Sequence, residues 1–138
     1  MPLVRFGVSI PQQLVDAFDR RTRKKGYSTR SEAIRDIIRD YLVEGEWEGS
    51  SGSVVGTITV VYGHGIRELP HLLTELQHEH HAEICCATHV HLDEHNCLEV
   101  IVVRGMAKQV QSIADRLIST RGVKHGKLVC TTTGRTLG

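Results

Sequence analysis

The sequence predicts an α+β protein made of two small domains joined by a short connection. The first 44 residues have the pattern strand–helix–helix, and the stretch from residue 54 onward has the pattern strand–helix–strand–strand–helix–strand. Residues 44–53, EGEWEGSSGS, are acidic and rich in Gly and Ser, which is typical of a flexible linker. A length of 138 residues suits two such domains, and no apolar run approaches the ~18–20 residues that cross a bilayer.

The net charge of +1 is the sum of two opposite parts. Residues 1–39 carry nine Lys and Arg against four Asp and Glu, a balance of +5. Residues 40–138 carry eight against twelve, a balance of −4. This asymmetry predicts that the N-terminal half contacts a polyanion and that the C-terminal half has a different task.

The first strand is indicated by Val4, Phe6, Val8 and Ile10, which alternate with polar or small residues. A helical stripe follows after Pro11 and ends at Gly26. Thr29-Arg30-Ser31-Glu32 fits a capping box, with Thr29 as the N-cap of the next helix. That helix carries apolar side chains at helical spacing: Ala33, Ile34, Ile37, Ile38, Tyr41 and Leu42.

A unit this small, with one strand, needs a partner to bury its apolar surface. A two-fold dimer in which the strands pair antiparallel meets that need and directs Arg5, Gly7 and Ser9 outward on a two-stranded ribbon. Such a ribbon fits the major groove, where arginine can bridge guanine N7 and O6. The helix N-terminus at Thr29 and Arg30 is a ready phosphate site, so we predict DNA binding by this half.

The C-terminal half reads as βαββαβ, the ferredoxin-like split unit. We predict strands at residues 54–62, 84–92, 98–104 and 127–130, and helices at 66–76 and 106–118. Residues 131–138 have no core pattern, and we expect this tail to fray.

Three side chains in this half predict a transition-metal site. His89 and His91 are two residues apart on one predicted strand and therefore share a face, and Cys97 begins the next strand across a short turn. Imidazole and thiolate suit nickel, copper or zinc rather than magnesium or calcium. A fourth ligand could come from His78, His80 or His81 at the end of the preceding helix, and spacing alone does not choose among them.

These motifs together resemble one family. The matching stretches are GY at 26–27, RSEAIRDI at 30–37, QH at 77–78, THVH at 88–91, CLE at 97–99 and RGVKHG at 121–126. Over the whole chain except the tail, the sequence resembles the nickel-responsive transcriptional regulators of the ribbon-helix-helix superfamily.

The resemblance implies a ribbon-helix-helix DNA-binding domain at residues 1–45 and a ferredoxin-like, ACT-like domain for nickel binding and tetramerisation at residues 54–131. It implies a homotetramer, a dimer of dimers. Each subunit is expected to bind one Ni(II) in a square-planar site made by His89, His91 and Cys97 with His78 of a neighbouring subunit.

The resemblance also assigns base contacts to the ribbon positions Arg5, Gly7 and Ser9. Family members often carry a hydroxyl side chain where this chain has Gly7, so the preferred operator is expected to differ. Glu32 and Asp36 match an auxiliary cation site that takes a monovalent ion such as potassium.

The implied function is that of a cytoplasmic regulator, not an enzyme, that binds double-stranded operator DNA and represses nickel uptake when nickel is sufficient. Two other regulators remain open from the residues: one that senses another metal or a small molecule, and an antitoxin with the same type of head. A metallohydrolase would need an open coordination position and a placed general base, and no motif here supplies the base.

Overall fold

A computed structural model describes residues 2–49, 52–63, 65, 68–80 and 83–137. The chain divides into two compact units, Met1–Asp40 and Tyr41–Gly138. The elements in chain order are α1 (Gln12–Lys24), α2 (Arg30–Glu48), β1 (Val54–Gly63), α3 (Glu68–Glu79), β2 (Ile84–His91), β3 (Asn96–Gly105), α4 (Ala107–Ile118) and β4 (Val123–Thr131). The predicted α+β class is confirmed.

Both helices of the first unit begin, and α1 ends, where the local chemistry predicts. The carbonyl of Pro11 accepts the first backbone hydrogen bonds of α1, and Gly26, with φ of 91°, ends the turn after that helix. At the start of α2 the backbone N–H of Glu32 donates to Thr29 Oγ1 at 3.2 Å, so the predicted N-cap is confirmed.

The strand predicted at the N-terminus is absent from the single chain. Residues 2–10 have no strand assignment, and their apolar side chains, such as Val4 and Phe6, are 85% and 72% exposed. The physical reason is that a strand exists only as part of a hydrogen-bonded ladder, and no described residue of the same chain pairs with this segment. Pairing with a second copy therefore stays a prediction.

The second unit has the predicted βαββαβ order. Its four strands form one antiparallel sheet in the order β2-β3-β1-β4, with β1 paired to both β3 and β4. One face of the sheet is buried under α3 and α4. The core joins strand residues to helix residues that are at most 2% exposed: Ile58, Val60, Ile101, Val103, Leu69, Leu76, Val110, Ile113 and Leu117.

Part of the predicted linker is helical, because α2 continues to Glu48. Trp47 explains this extension: its indole N–H donates to the carbonyl of Thr131 at 2.8 Å, and its ring packs over Gly56. The tail expected to fray is also held, since the Thr136 hydroxyl donates to Glu46 Oε1 at 2.7 Å. Within the described helices, none combines the length and the apolar character that spanning a bilayer requires.

At Gly126 the backbone of β4 comes close to the Ile118 side chain of α4, so a substitution there tests how the two elements pack. A Cβ added there would lie 2.7 Å from Ile118 Cγ1, closer than side chains tolerate. We expect Gly126→Ala to lower the free energy of unfolding by about 1–3 kcal/mol. The matched control is Gly45→Ala, because nothing lies within 4 Å of its added Cβ and alanine favours the helix. Urea unfolding followed by circular dichroism measures the free energy of unfolding of both variants. A Gly126→Ala protein as stable as the Gly45→Ala protein would contradict this packing.

Candidate metal centre

The β2–β3 hairpin brings three donor residues together. In its register His91 lies opposite Cys97, and His89 lies opposite Glu99. Asp93 stabilises the turn, because its Oδ1 accepts the backbone N–H groups of His95 and Asn96 at 2.8 Å each. Hydrogen bonds from the Asn96 side chain and these two N–H groups lower the pKa of Asp93 to about 2. A charged carboxylate therefore sets the turn that aligns the two strands.

The donor atoms of His89, His91 and Cys97 all lie within 4.8 Å of one another. Cys97 Sγ is 3.7 Å from His91 Nδ1, and the two imidazole centroids are 4.8 Å apart. With metal–ligand bonds of about 2.0–2.3 Å, two donors on one ion lie at most about 4–4.6 Å apart. The set therefore needs to close by only a small distance to hold one ion.

A buried carboxylate contacts the Nδ1 atom of His89. Glu99, 7% exposed, lies with Oε1 2.5 Å from His89 Nδ1, and the Tyr62 hydroxyl donates to the same oxygen at 3.2 Å. Burial, followed by the charge of Glu99, raises the pKa of the Tyr62 hydroxyl, which stays a neutral donor. With Nδ1–H directed at Glu99, the Nε2 lone pair of His89 is left for a metal, the carboxylate–histidine–metal arrangement.

Sequence reasoning missed Tyr62 and Glu99. A signal for Glu99 existed, because it lies two residues after Cys97 and therefore shares its strand face. Tyr62 gave no such signal, since only the pairing of β1 with β3 brings it next to the hairpin.

Cys97 combines burial with a reactive group. Its side chain is 1% exposed, and burial, assisted by Glu99 and Asp93, raises the pKa of the thiol. Metals bind the thiolate, so binding at neutral pH displaces a proton and the metal affinity rises with pH. The N,N,S donor set suits nickel, copper or zinc and is a poor match for magnesium or calcium.

The fourth predicted ligand, His78, lies elsewhere. It is an exposed residue in the last turn of α3, and among the described residues the metal-competent cluster contains only the three hairpin side chains. His80 lies between two carboxylates, 3.9 Å from Glu79 and 3.8 Å from Glu83. His81 lies outside the described residues.

The predicted DNA-binding and cation residues belong to the first unit. Arg5, Gly7 and Ser9 lie exposed in the segment before α1. Thr29 caps α2. Arg30 forms a bidentate ion pair with Asp19, with both hydrogen bonds at 2.8 Å.

The residues predicted to bind an auxiliary cation each have a partner in this unit. Glu32 Oε2 accepts the Ser28 hydroxyl at 3.0 Å. Asp36 accepts Tyr27 at 2.5 Å and Arg39 at 3.1 Å, and the Tyr27 hydrogen bond is the main cause that lowers its pKa. Both carboxylates therefore accept hydrogen bonds from side chains of the first unit.

Two family matches agree with this architecture. Residues 4–45 match the family described as ribbon-helix-helix protein, copG family, and residues 55–131 match the NikR C terminal nickel binding domain. The chain is thus a ribbon-helix-helix DNA-binding protein with a nickel-binding domain. It belongs to the family of nickel-responsive regulators, which are transcriptional regulators and not enzymes.

Full-length relatives carry the name "putative nickel-responsive regulator". One from Geobacter metallireducens is 60% identical over 134 residues, covering 97% of this chain and 96% of the relative. Others from Caldanaerobacter subterraneus subsp. tengcongensis and Pyrococcus furiosus are 56% and 58% identical, covering 98% of this chain in each case and 88% and 98% of the relatives. The similarity therefore extends over both domains.

The contact between Glu99 and His89 leads to a testable expectation. We expect Glu99→Gln to weaken Ni(II) binding about 10–100-fold, because a neutral amide orients the ring less firmly and makes it a weaker donor. Competition against a chromophoric chelator measures the affinity. Glu94→Gln, in the exposed hairpin turn, is the matched control, and an unchanged affinity for Glu99→Gln would show that the carboxylate does not support the ligand.

Proposed function

We propose that this protein is a nickel-activated repressor that binds operator DNA and lowers nickel uptake when nickel is sufficient. The observation that carries the proposal is the convergence of His89, His91 and Cys97 on one hairpin, in a chain whose other domain is a ribbon-helix-helix head. A regulator of this kind acts in the cytoplasm, where its DNA target is.

The proposed site is completed by His78 of the partner subunit. Its exposure on α3, outside the three-residue cluster of its own chain, supports a role between subunits. Four donors, three nitrogens and one sulfur, suit a square-planar site with one Ni(II) per subunit, and zinc prefers a tetrahedral arrangement. The assembly in this proposal is a homotetramer built as a dimer of dimers.

The proposed DNA contact is made by the exposed N-terminal segment. Pairing with a second copy would bury the apolar side chains of residues 2–10 and direct Arg5 and Ser9 toward the major groove. Gly7 has open space around it and adds no side chain to the ribbon. Thr29 and Arg30, at the positive end of α2, then face a phosphate.

In this proposal, Ni(II) binding and operator binding are thermodynamically coupled. A ligand shifts a conformational equilibrium only by its different affinities for the two states, and a site completed by another subunit exists in only one of them. A 100-fold gain in operator affinity requires about 2.7 kcal/mol of coupling, within the ordinary range. A monovalent cation such as potassium at Glu32 and Asp36 is the proposed auxiliary ligand.

Nickel dependence of DNA binding is the direct test. We expect wild-type protein to bind a duplex selected from a random library about 100-fold more tightly with stoichiometric Ni(II) than without it. His89→Ala is expected to lose that gain because it removes a ligand. Fluorescence anisotropy with a labelled duplex measures the affinity.

The matched control is His95→Ala, which removes an exposed histidine of the same hairpin outside the donor cluster. It is expected to behave as wild type. Equal nickel-dependent binding by wild type and His89→Ala would contradict nickel sensing at this site. A larger response to Zn(II) than to Ni(II) would make the protein a sensor of a different metal.

Subunit mixing tests whether His78 acts between chains. His78→Ala and His89→Ala proteins each lack a complete site. If His78 acts in trans, their mixed assembly regains about a quarter of the sites under random pairing. The readout is the absorption spectrum of the Ni(II) form, in which a low-spin square-planar band with thiolate charge transfer is expected. No recovery on mixing would contradict ligation in trans, and an octahedral spectrum without a sulfur band would contradict the four-ligand site.

A further inference from the structure

The end of α1 carries a dense group of positive charges that the proposed base and phosphate contacts leave without a role. Five of the six residues at 20–25 are cationic and exposed, and Thr22 alone is buried. We call the five cations the α1 basic run: Arg20, Arg21, Arg23, Lys24 and Lys25.

The acidic side chains of α1 leave this run largely uncompensated. Asp19 pairs with Arg30, and Asp16 accepts a hydrogen bond from Gln12 at 2.9 Å. Among the described residues, no ion pair includes a member of the run, although Arg23 is near enough to contribute to the lowered pKa of Asp19.

Helix stability alone does not account for so many cations. Cations in the last turn of a helix interact favourably with its dipole, but the effect is small for each exposed side chain and fades within one turn. Like charges spaced three or four residues apart repel one another, and Arg21, Lys24 and Lys25 have this spacing. A polyanion that screens them removes the repulsion.

The run lies beside the N-terminus of α2. The ion pair from Arg30, the first residue of α2, reaches Asp19, which immediately precedes the run. The positive end of the α2 dipole and the run therefore form one electropositive surface within the head. A span of six residues covers about 9 Å of helix, and each DNA strand carries one phosphate per about 3.4 Å of the DNA axis, so the run is long enough to reach two neighbouring phosphates.

We propose that the α1 basic run contacts backbone phosphates that flank the segment read by the ribbon. This inference rests on the proposed DNA-binding function and adds a second contact surface to it. Because phosphate contacts carry no base information, the run supplies affinity and salt dependence, and the ribbon supplies sequence preference.

The test is the salt dependence of binding by full-length, nickel-loaded protein. The variant R21Q/K24Q/K25Q removes three charges from one helix face. The matched control K108Q/R121Q/K127Q removes three exposed charges from the second unit. Each phosphate contact contributes about 0.9 to the slope of log K against log salt, so a single lost contact per chain lowers the slope of a two-chain head by about 1.8.

The expected result is a shallower slope for the α1 variant only, with the ratio of specific to random affinity and the Ni(II) affinity both unchanged. Phosphate-ethylation interference at flanking positions is expected in wild type and lost in the variant. Equal slopes for wild type and the α1 variant would overturn the inference, and so would an equal loss in the control. Tighter DNA binding by the variant would also overturn it, because the loss of phosphate contacts cannot strengthen binding.

These outcomes separate this inference from the proposed function. Absence of DNA binding by nickel-loaded wild type would contradict the function itself and the inference with it. Nickel-dependent binding with an unaltered slope in the variant would contradict only the inference. Thermal unfolding of the variant confirms that the head remains folded, and Arg5→Ala, expected to change the specific-to-random ratio, marks the contrasting behaviour of a base contact.

Discussion

The register of the β2–β3 hairpin is the constraint on which the metal centre depends. A shift of one residue would turn every side chain of β2 to the other face of the sheet, separating His89 and His91 from Cys97. The charged carboxylate of Asp93 holds the turn, and the pairing of β3 with β1 fixes the strand in the sheet. The donor set is therefore a property of the whole sheet rather than of a flexible loop.

Burial of Cys97 and of the supporting residue Glu99 determines how the donor set behaves chemically. Glu99 and Cys97 alternate with half-buried residues on β3 and face the core, where a carboxylate is retained because it is hydrogen-bonded. The same burial keeps the thiol protonated until a metal replaces the proton. One side of His89 is thus held by the protein, and the other is presented to an ion.

Each unit leaves something unsatisfied within the single chain: a ligand position in the second unit and apolar surface in the first. The second unit has a closed core, but its described residues offer three ligands where a closed site requires four. The first unit leaves the apolar side chains of residues 2–10 exposed. Both features fit a protein whose function depends on association, which the ribbon-helix-helix family implies.

The sequence by itself determined the fold class, the N-cap at Thr29, the βαββαβ order and the His89, His91 and Cys97 triad, because each follows from local periodicity or spacing. The N-terminal strand was predicted, but residues 2–10 have no strand assignment, since no described residue of the same chain supplies a ladder. The helical extension to Glu48 and the anchored tail depend on the Trp47–Thr131 and Glu46–Thr136 hydrogen bonds, each of which joins residues more than 80 positions apart. Only the tertiary structure could place Tyr62 beside His89 and Glu99, because strand pairing, not spacing, brings β1 to the hairpin.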